Sequence, residues 1–462
     1  MKRREVIQKL AYTVPASLAF PSLLAACEPE IPPTPVYDGN VIIIGAGAAG
    51  LYAAQQFLDK NISVQILEAT DRFGGRVRLQ DEYFDFPMEE GADWIYGDNN
   101  LWHRIVTGSG ANIIQYPETS RYMLDGAIKT ADDLANDVDF LTAMNFINDI
   151  PNYNGPDLTI KNAVFSANLP TRVQHIVDAI TANSRGTSFE SISIKGVADG
   201  ERLWNDGEGR FFAANLSLAN ILNGAFSQVI PHIKLNTPVV QVDYTDNEKI
   251  RLTDASGGTH ECTILIITVP INVIKRGDIN FAPNLPINTT AALDRIGMDK
   301  GYKVMLGFYV NFWGQEVGMI YTNGTAPEYY APGMGRSLND ENRVLSALIM
   351  GTQAEALTGK TDDEIVQQLL GELDALYNGQ ASQQFDESST YVINWGDRDY
   401  FNGVKSYPMV SGTGAAEAYA TPINNRIFFA GEATALNGNY GTVQGALESS
   451  ERVVKEVLEV IL

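Results

Sequence analysis

The sequence predicts an α/β protein with a Rossmann-like domain, and three observations indicate this fold class. The apolar run at residues 41–44 has the composition of a buried parallel strand. A turn of the pattern Gly-x-Gly-x-x-Gly follows it at once, as in strand–turn–helix units that bind dinucleotides. A second apolar run at residues 64–67 ends in Glu68, close to where that fingerprint places an acid that binds ribose hydroxyls.

The glycine turn is the element expected to hold phosphate. Gly45, Gly47 and Gly50 allow the tight turn, the close approach of backbone to a pyrophosphate and the packing of the next helix on the strand. The helix that begins near Ala48 and Ala49 directs its first N–H groups at the phosphate charge. Because a strand precedes the turn and an acid follows it, a nucleotide site is favoured over a glycine-rich turn without a ligand.

A second pair of glycines narrows the choice of dinucleotide cofactor. Residues 68–76 are Glu-Ala-Thr-Asp-Arg-Phe-Gly-Gly-Arg, and they resemble the Glu-Ala-x-x-Arg-x-Gly-Gly-Arg block of the flavin amine oxidase superfamily. Segments similar to other blocks of that superfamily follow in the same order, at residues 90–97, 237–240, 267–270, 429–434 and 441–446. The resemblance spans the chain from residue 41 to the C-terminus, and it implies a FAD cofactor.

The resemblance also assigns roles to single residues. Backbone at the glycine pairs approaches the FAD diphosphate and the flavin, Val239 touches the adenine, and Glu432 binds a ribityl hydroxyl; a carboxylate that caps a helix is the alternative for Glu432. The helix expected from residue 443 onward would stabilise the anionic edge of the reduced flavin with its N-terminal N–H groups. The residues expected to bind FAD are Gly45, Gly47, Ala48, Ala49, Gly50, Glu68, Ala69, Gly74, Gly75, Arg76, Gly91, Ala92, Asp93, Trp94, Val239, Trp395, Gly431, Glu432, Thr442 and Val443.

The FAD is expected to be bound non-covalently, because no cysteine or histidine lies in the segments that match the flavin-contacting blocks. Cys262 is expected to be a small buried hydrophobe. The four histidines are scattered without the spacing of metal ligands, so no metal is expected. No second Gly-x-Gly-x-x-Gly follows a strand, which argues against a separate NAD(P) domain. Reoxidation of the reduced flavin therefore falls to O2 or to an external acceptor.

The same resemblance predicts how the chain is divided. Residues 38–105, 226–285 and 390–462 are expected to form a discontinuous, Rossmann-like FAD-binding domain, interrupted by an inserted α+β substrate-binding domain of residues 106–225 and 286–389. Apolar residues also recur at helical or strand spacing in several segments. These patterns predict helices around residues 176–180, 216–222, 365–376 and 443–462 and a strand around residues 303–310.

Lys303 is the leading catalytic candidate. It lies in residues 297–304, which look like the superfamily's Gly-x-x-x-Lys-Val strand, whose lysine holds a water near flavin N5. A cation there would stabilise the charge that develops as O2 is reduced. A solvent-facing strand lysine is the alternative, and Lys300 competes for the same place in the alignment.

The substrate side departs from the superfamily's pattern. Members commonly place two aromatic rings before the flavin, but here Lys405 stands at the first position and Thr442 at the second. Two ammonium groups about 4 Å apart repel by about 4 kcal/mol at an effective dielectric constant of about 20, so an inward Lys405 favours substrates with a carboxylate over small protonated amines. The alternatives are a Lys405 that faces solvent, or a slot lined by Tyr407 or Tyr440.

The predicted function is that of a FAD-dependent oxidoreductase that oxidises an amine, an amino acid or a related small molecule by hydride transfer to flavin N5. O2, with release of H2O2, or an external acceptor takes the electrons. Desaturases, isomerases and protoporphyrinogen oxidases share the Gly-Gly motif and form the second class of candidates. A non-catalytic flavin-binding lipoprotein is the third.

Charge and the N-terminus predict where the protein acts. The formal net charge of −23 argues against nucleic acid and anionic membrane surfaces as partners and favours the approach of cationic small molecules; a generally acidic surface is the alternative. Residues 1–27 resemble a bacterial lipoprotein signal, because Lys2-Arg3-Arg4 precede an apolar stretch and Leu24-Ala25-Ala26-Cys27 looks like a lipobox.

We therefore expect an exported protein that a lipid on Cys27 anchors to the bacterial cell envelope. Arg3 and Arg4 are compatible with twin-arginine export, and a plain secretory signal is the alternative to the lipobox. Residues 28–37, with four prolines, would serve as a stiff tether between the lipid and the folded chain.

Overall fold

The computed structural model describes residues 37–117, 119–336 and 342–462. The predicted signal segment, Cys27 and the predicted tether up to residue 36 lie outside the described residues. At the start of the described chain, the hydroxyl groups of Tyr37 and Thr263 are hydrogen-bonded to each other.

The secondary structure alternates between strands and helices along most of the described chain. The strands are β1 (Asn40–Ile44), β2 (Ser63–Leu67), β3 (Leu79–Gln80), β4 (Met88–Glu89), β5 (Ile95–Tyr96), β6 (Ile113–Gln115), β7 (Ser120–Leu124), β8 (Ala127–Thr130), β9 (Arg210–Ala213), β10 (Ile233–Lys234), β11 (Val239–Asp243), β12 (Ile250–Asp254), β13 (Thr259–Cys262), β14 (Ile264–Ile267), β15 (Asn280–Ala282), β16 (Ile296–Met298), β17 (Gly301–Phe308), β18 (Met319–Tyr321), β19 (Glu328–Tyr330), β20 (Val344–Met350), β21 (Phe385–Asn394), β22 (Ser406–Pro408) and β23 (Ile427–Phe429). The α-helices are α1 (Ala48–Leu58), α2 (Leu101–Gly108), α3 (Val138–Asp149), α4 (Ile160–Ser166), α5 (Thr171–Thr181), α6 (Ile194–Leu203), α7 (Leu218–Ala225), α8 (Ile271–Lys275), α9 (Ile287–Leu293), α10 (Gly351–Glu355), α11 (Asp362–Tyr377), α12 (Gln380–Gln384), α13 (Ala415–Ala420) and α14 (Val443–Ile461).

A five-stranded parallel sheet in the order β10-β2-β1-β14-β23 carries the glycine turn. Its central strands β1 and β14 are almost wholly apolar because both faces of the sheet are covered. Helices α1 and α14 share a hydrophobic core with one face, and β11, β12, α8 and α9 share a core with the other. Strands β2 and β14 lie on opposite sides of β1, so a crevice opens at the carboxyl end of β1, where open α/β sheets bind ligands.

A second, mixed sheet has the order β21-β17-β20-β19-β18-β7-β8. Neighbouring strands in it are antiparallel, apart from β7 and β18, which run parallel. Helices α3, α5 and α11 share a hydrophobic core with this sheet, which explains the helical spacing of their apolar residues. A mixed sheet covered by helices is the arrangement that the sequence predicts for the inserted region.

The predicted elements are present, with shifts of a few residues at their ends. The helices predicted at residues 443–462 and 365–376 are α14 and α11, and the strand predicted at residues 303–310 is β17. The segments 176–180 and 216–222 fall in or overlap α5 and α7.

One strand begins later than its apolar composition indicated. The composition of residues 262–267 predicts one apolar strand that opens at Cys262, but Cys262 ends β13 and the apolar strand begins at Ile264 as β14. Between them, the hydroxyl of Thr263 donates a hydrogen bond of 2.9 Å to the carbonyl oxygen of Asn40, and the chain passes from one sheet to the other there. Cys262 is buried, and burial raises the pKa of its thiol to about 12, so it packs as a neutral small residue.

The predicted boundary between residues 389 and 390 falls inside β21, which pairs with β17 from Phe385 to Asn394 in the mixed sheet. The predicted boundary between residues 105 and 106 likewise falls inside α2. The division into domains remains a prediction. Among the described residues, none of the helices combines the length and the apolar character needed to cross a membrane. In the same part of the chain, His, Cys, Asp and Glu side chains form no group of three or more that could hold a metal ion.

Candidate active site

A cavity of about 580 Å³ extends from the carboxyl end of β1 to the mixed sheet. Its volume lies in the range that proteins use for cofactors and small ligands. All of the residues predicted to bind FAD line it except Gly50, and so do the catalytic candidates Lys303, Lys405 and Thr442. Sequence blocks from both ends of the described chain therefore meet at one place.

Two glycines shape the turn after β1. Gly45 has a φ of +103°, a backbone conformation that residues with a Cβ rarely adopt. Gly50 lies in α1 behind the turn, and a Cβ there would stand 2.0 Å from the carbonyl oxygen of Gly45. Gly50 therefore serves the close packing of α1 on the turn, and it lies behind the cavity wall rather than in it.

Glu68 connects the glycine turn with the end of β2. Its Oε2 accepts a hydrogen bond of 2.7 Å from the N–H of Ala46. Its Oε1 accepts from the N–H and the hydroxyl of Thr70, at 2.9 and 2.8 Å. Glu68 is buried and lines the cavity. Because each carboxylate oxygen has two lone pairs, Glu68 can hold both loops and still accept from a ligand hydroxyl.

Glu432 joins three segments at the far end of the cavity. Its Oε1 lies 3.0 Å from Nη1 of Arg76, which also donates to the carbonyl oxygen of Val404 at 2.7 Å. Its Oε2 accepts from the N–H groups of Ser406 and Gly441, at 3.2 and 3.0 Å, and from the Ser406 hydroxyl. Ser406 lies in β22 and Gly441 precedes the N-cap of α14, so these contacts do not cap a helix. The bond of Glu432 to a ribityl hydroxyl remains a prediction.

Helix α14 begins at the cavity, and Thr442 is its N-cap. The Thr442 hydroxyl accepts a hydrogen bond of 3.0 Å from the N–H of Gly445 and donates one of 2.6 Å to the carbonyl oxygen of Asn439. Thr442 and Val443 both line the cavity. The partial positive charge of the helix N-terminus therefore lies at the cavity wall.

Lys303 on β17 is buried, so the alternative of a solvent-facing lysine is wrong. Its ammonium donates to Oδ1 of Asp93 at 2.5 Å and to the carbonyl oxygen of Glu89. Lys300 instead pairs with Asp397 at 2.7 Å, and it is not among the residues of the cavity wall. Of these two lysines, Lys303 is the one that the fold brings to the cavity.

Lys405 lines the cavity as well. Its ammonium donates to the carbonyl oxygen of Ser184 at 2.6 Å, in the short turn that follows α5. Burial lowers the pKa of the Lys405 ammonium to about 8, although the nearby Glu328 acts in the opposite direction. Of the two tyrosines named as alternatives, Tyr440 lines the cavity and Tyr407 does not.

The inserted region contributes charged residues to the cavity that the sequence did not single out. They are Arg185, Glu201, Arg210 and Glu328. They come from the turn after α5, from α6, from β9 and from β19, so no spacing along the chain predicts that they meet. Only Glu328 carried a signal, because it is an acid in a short strand with two aromatic residues, where burial was to be expected.

These charges are paired in different ways. Glu328 accepts a hydrogen bond of 3.3 Å from the side-chain amide of Asn183, and burial raises the pKa of its carboxyl against the effect of Arg210. Arg185 forms an ion pair with Glu201. The cavity wall around Lys405 therefore offers both signs of charge.

Comparison with known proteins identifies the family. The family model described as "Flavin containing amine oxidoreductase" matches residues 48–137 and 227–458, which is more than half of the chain. The chain belongs to the flavin-containing amine oxidoreductase family. FAD is accordingly its cofactor, and the chain stands among FAD-dependent oxidoreductases.

Two kinds of curated relative resemble this amine oxidoreductase. Over 469 residues it is 27% identical to Lysine-specific histone demethylase 1B of Mus musculus, covering 94% of the chain and 55% of that protein. Over 462 residues it is 25% identical to Polyamine oxidase 4 of Oryza sativa subsp. japonica, covering 92% of the chain and 89% of that protein. The chain thus spans about half the length of the mouse and human histone demethylases that it matches.

Solved structures share its fold. Putrescine oxidase bound to putrescine aligns with a TM-score of 0.77 and 19% identity, over 91% of the chain and 99% of the other. Cyclohexylamine oxidase from Brevibacterium oxydans aligns with a TM-score of 0.75 and 20% identity, over 91% of the chain and 100% of the other. At this identity the likeness concerns the fold, and it confirms the predicted mixed α/β class with its Rossmann-like part.

The residues present at the cavity fit FAD. Helix α1 begins after Gly47, and a Cβ on the opposite Gly75 would stand 3.1 Å from the Gly47 Cα. Because neither residue has a Cβ, backbone N–H groups at the start of α1 face the cavity directly and suit a diphosphate. Among the described residues of the cavity wall there is no cysteine or histidine, and non-covalent attachment remains a prediction.

Proposed function

We propose that the chain is a FAD-dependent amine oxidase whose substrate carries a carboxylate beside the amine, as an amino acid does. Lys405 is the observation that carries this proposal. Its ammonium lies in the cavity wall, at a place where the family's pattern has an aromatic ring. A carboxylate against it gains a charge-assisted hydrogen bond, whereas a simple protonated amine meets repulsion.

Other residues of the wall complement the same class of substrate. Glu328 offers an acceptor to an ammonium group, and Arg210 offers further positive charge to a carboxylate. Leu348 and Met350 of β20 add apolar surface that excludes water from the site. A substrate with one charge of each sign is therefore oriented at two points.

The overall reaction follows from the family's cofactor. When bound, FAD supplies the two-electron acceptor for the substrate's C–H bond. The amine loses two electrons and two protons and becomes an imine, which water converts into a carbonyl compound and ammonia. O2 takes up two electrons and two protons as H2O2, and an external acceptor replaces it in the alternative. Lys303 and the start of α14 place positive charge where negative charge develops.

A substrate panel with variants of Lys405 tests the proposal. The wild type is expected to release H2O2 with amino acids and to ignore unsubstituted monoamines. Lys405→Met should raise KM for the amino acid about tenfold to a hundredfold, because a charge-assisted hydrogen bond contributes about 1.5–3 kcal/mol. Lys405→Tyr should rebuild an aromatic wall and shift the preference toward small amines. Good turnover of benzylamine-like substrates by the wild type, with the same ranking in Lys405→Tyr, would contradict the proposal.

A diamine or polyamine is the second candidate substrate, and Glu328 is the observation that favours it. This carboxyl is buried in the cavity wall, where it could pair with a second ammonium group. If this candidate is correct, Glu328→Gln should raise KM for diamines much more than for monoamines. An amino-acid oxidase would instead show its larger KM effect in Lys405→Met.

The same panel separates the other classes. Bleaching of the FAD absorbance by a substrate without an amine, under anaerobic conditions, would indicate a desaturase-like, isomerase-like or protoporphyrinogen oxidase-like enzyme. Absence of bleaching with every pool of metabolites would indicate a flavoprotein without catalysis.

We also propose that the protein is an exported lipoprotein. The support is the sequence Leu24-Ala25-Ala26-Cys27 after a basic start and an apolar stretch. Cys27→Ser should release the protein from membranes or leave an unprocessed precursor on fractionation and blotting. A mature, membrane-bound Cys27→Ser protein would exclude acylation at this residue.

A further inference from the structure

A second, much smaller cavity lies behind Lys303. Its volume of about 20 Å³ is sufficient for one water molecule. Asp93 and Trp94 line both this cavity and the large one, and Glu89 and Tyr330 line the small cavity only. The carboxylate of Asp93, which is bonded to Lys303, therefore stands between the two.

Glu89 is the carboxyl group of this small cavity that lacks a full set of partners. Its Oε1 accepts a hydrogen bond of 2.6 Å from the N–H of Leu218, at the start of α7. Its Oε2 is buried and has no hydrogen-bond partner among the described residues. The residue is only 9% exposed. An ionised oxygen in that position is costly, whereas a protonated one needs a single acceptor, and the small cavity has room for a water that would serve as that acceptor.

The groups that face the Glu89 carboxyl come from several elements. They are Asp93, Leu218 of α7, Lys303 of β17, Tyr330 of β19 and Arg336. Burial raises the pKa of Glu89 to about 8, and the negative charge of Asp93 acts in the same direction. The N–H of Leu218 and the two cations oppose the shift without cancelling it.

We propose that Glu89, acting through a water in the small cavity, stores a proton and delivers it to the Asp93–Lys303 pair while O2 is reduced. The inference rests on the proposed function in one respect, namely that O2 takes the electrons. It assigns a catalytic relay to a residue that does not line the substrate cavity.

The proton balance shows why such a donor is needed. Reduction of O2 to H2O2 takes up two electrons and two protons. The hydrogen that leaves the substrate carbon with the electron pair accounts for one proton. The amine nitrogen releases the other proton to solvent when the imine forms, so the second proton of H2O2 must be returned by the protein or the solvent. Lys303 releases a proton toward the cavity, and an N–H bond is replaced by an O–H bond in H2O2. The Glu89 proton is then transferred through the water to Asp93 and on to Lys303. Glu89 is reprotonated from solvent before the next turnover.

Glu89→Gln tests the relay, because glutamine keeps an oxygen for the Leu218 N–H and removes the titrating proton. The holoenzyme is reduced by light without any amine and is then mixed with O2 in a stopped-flow instrument. In the wild type, the reoxidation rate should fall about tenfold or more as the pH rises through about 8. In Glu89→Gln the rate should be low and should not change with pH over the same range.

Two further variants separate the relay from a merely structural effect. Glu89→Asp keeps a titrating carboxyl and should retain a pH-dependent rate. Asp178→Asn is the matched control, because Asp178 is another buried carboxyl whose pKa is raised by burial, to about 6, and it lies outside both cavities. Its reoxidation profile should be that of the wild type.

Infrared spectroscopy gives a readout without turnover. The oxidised wild type should show the C=O band of a protonated carboxyl that shifts in D2O, disappears above about pH 8 and is absent from Glu89→Gln. Because Asp178 and Glu328 are also buried carboxyls with a raised pKa, the band is assigned to Glu89 by its change on substitution. If Glu89→Gln does not fold, Glu89→Asp makes the assignment, because it should shift the frequency and the titration of the Glu89 band only.

The results that overturn the inference are distinct from those that overturn the proposed function. A reoxidation profile in Glu89→Gln that equals the wild-type profile refutes the relay. An infrared titration of carboxyl bands around pH 8 that is the same in Glu89→Gln as in the wild type also refutes it. Failure of the light-reduced wild type to react with O2 also refutes it, although oxidation of amines with an artificial acceptor would remain possible. Failure of every amine to bleach the FAD refutes the proposed function and leaves the measurements on Glu89 unaffected.

Discussion

Lys405→Met is expected to make the protein more stable at neutral pH. Methionine keeps the unbranched apolar stem along the cavity wall and removes the ammonium. Burial lowers the pKa of that ammonium from the ordinary 10.5 to about 8. Each pKa unit corresponds to about 1.36 kcal/mol, so holding the charge in the cavity costs about 3 kcal/mol at pH 7.

Part of this gain is offset by a lost contact. Lys405 donates a hydrogen bond of 2.6 Å to the carbonyl oxygen of Ser184, and such a bond contributes about 1 kcal/mol net. The free energy of unfolding of Lys405→Met should therefore exceed that of the wild type by about 2 kcal/mol at pH 7.

The pH dependence of this difference has a definite sign. The unfolded chain keeps the proton of Lys405 up to about pH 10.5, whereas the folded protein loses it near pH 8. Between these pH values the unfolded state binds more protons than the folded state. The stability of the wild type therefore rises with pH relative to that of the variant. The free-energy cost of holding the Lys405 charge in the cavity is fully present below pH 8 and is gone above about pH 10.5. Above that pH the variant is slightly less stable than the wild type, because it lacks the hydrogen bond to Ser184.

Urea unfolding at pH 7 and at pH 10, with the same saturating FAD, measures the stability difference between the two proteins and its change with pH. Lys300→Met is the matched control, because Lys300 forms an exposed pair with Asp397, and the loss of such a pair changes stability by less than about 1 kcal/mol. If Lys405→Met destabilises the protein equally at both pH values, the ammonium does not lie in the cavity, and the argument for a carboxylate-bearing substrate fails with it.

The remaining predictions concern FAD and the fold around it. Acid precipitation should leave the yellow colour in the supernatant, and colour in the pellet would mean covalent attachment. Glu68→Ala should weaken FAD binding about tenfold or more in equilibrium dialysis, because charge-assisted hydrogen bonds are lost; unchanged affinity would exclude Glu68 as the ribose ligand. Lys303→Met should slow reoxidation of light-reduced enzyme far more than reduction by substrate, and equal reoxidation rates would remove Lys303 from the oxidative step. Gly50→Val should lower the melting temperature and the FAD content together, because a Cβ there would stand 2.0 Å from the Gly45 carbonyl oxygen; wild-type stability would contradict this packing.

The nucleotide end of the site could be predicted from the sequence because its signals are local. A buried strand, a turn that needs glycine and an acid at the end of the next strand lie within one βαβ unit. Backbone geometry alone fixes their relation. The residues predicted for this end, from Gly45 to Trp94, line one cavity, with the exception of Gly50.

The substrate end could not be predicted in the same way. Arg185, Arg210 and Glu328 come from elements that are far apart in sequence and that packing of the inserted region brings together. Charged residues are usually solvated, so nothing in the local sequence distinguishes Arg185 and Arg210 from surface charges. Only Glu328, beside two aromatic residues in a short strand, carried a signal.

The neighbouring acids Glu89 and Glu90 face different cavities. Glu89 ends β4 and Glu90 follows it directly. Glu90 lines the large cavity, and Glu89 lines the small one. Because two adjacent acids are both buried, one of them is expected to be held protonated or paired.

The charge of the whole chain and the charges of the cavity act over different distances. The Debye length is about 8 Å at physiological ionic strength, so the net charge of −23 governs approach and solubility, while the groups of the wall govern orientation. A dicarboxylate would be repelled by the surface, and a diamine would leave Lys405 without an anionic partner. A zwitterion is neutral toward the surface and still finds an opposite charge for each of its ends, at Lys405 and at Glu328. The charges of the cavity wall therefore favour the proposed amino-acid-like substrate, and the surface charge does not repel it.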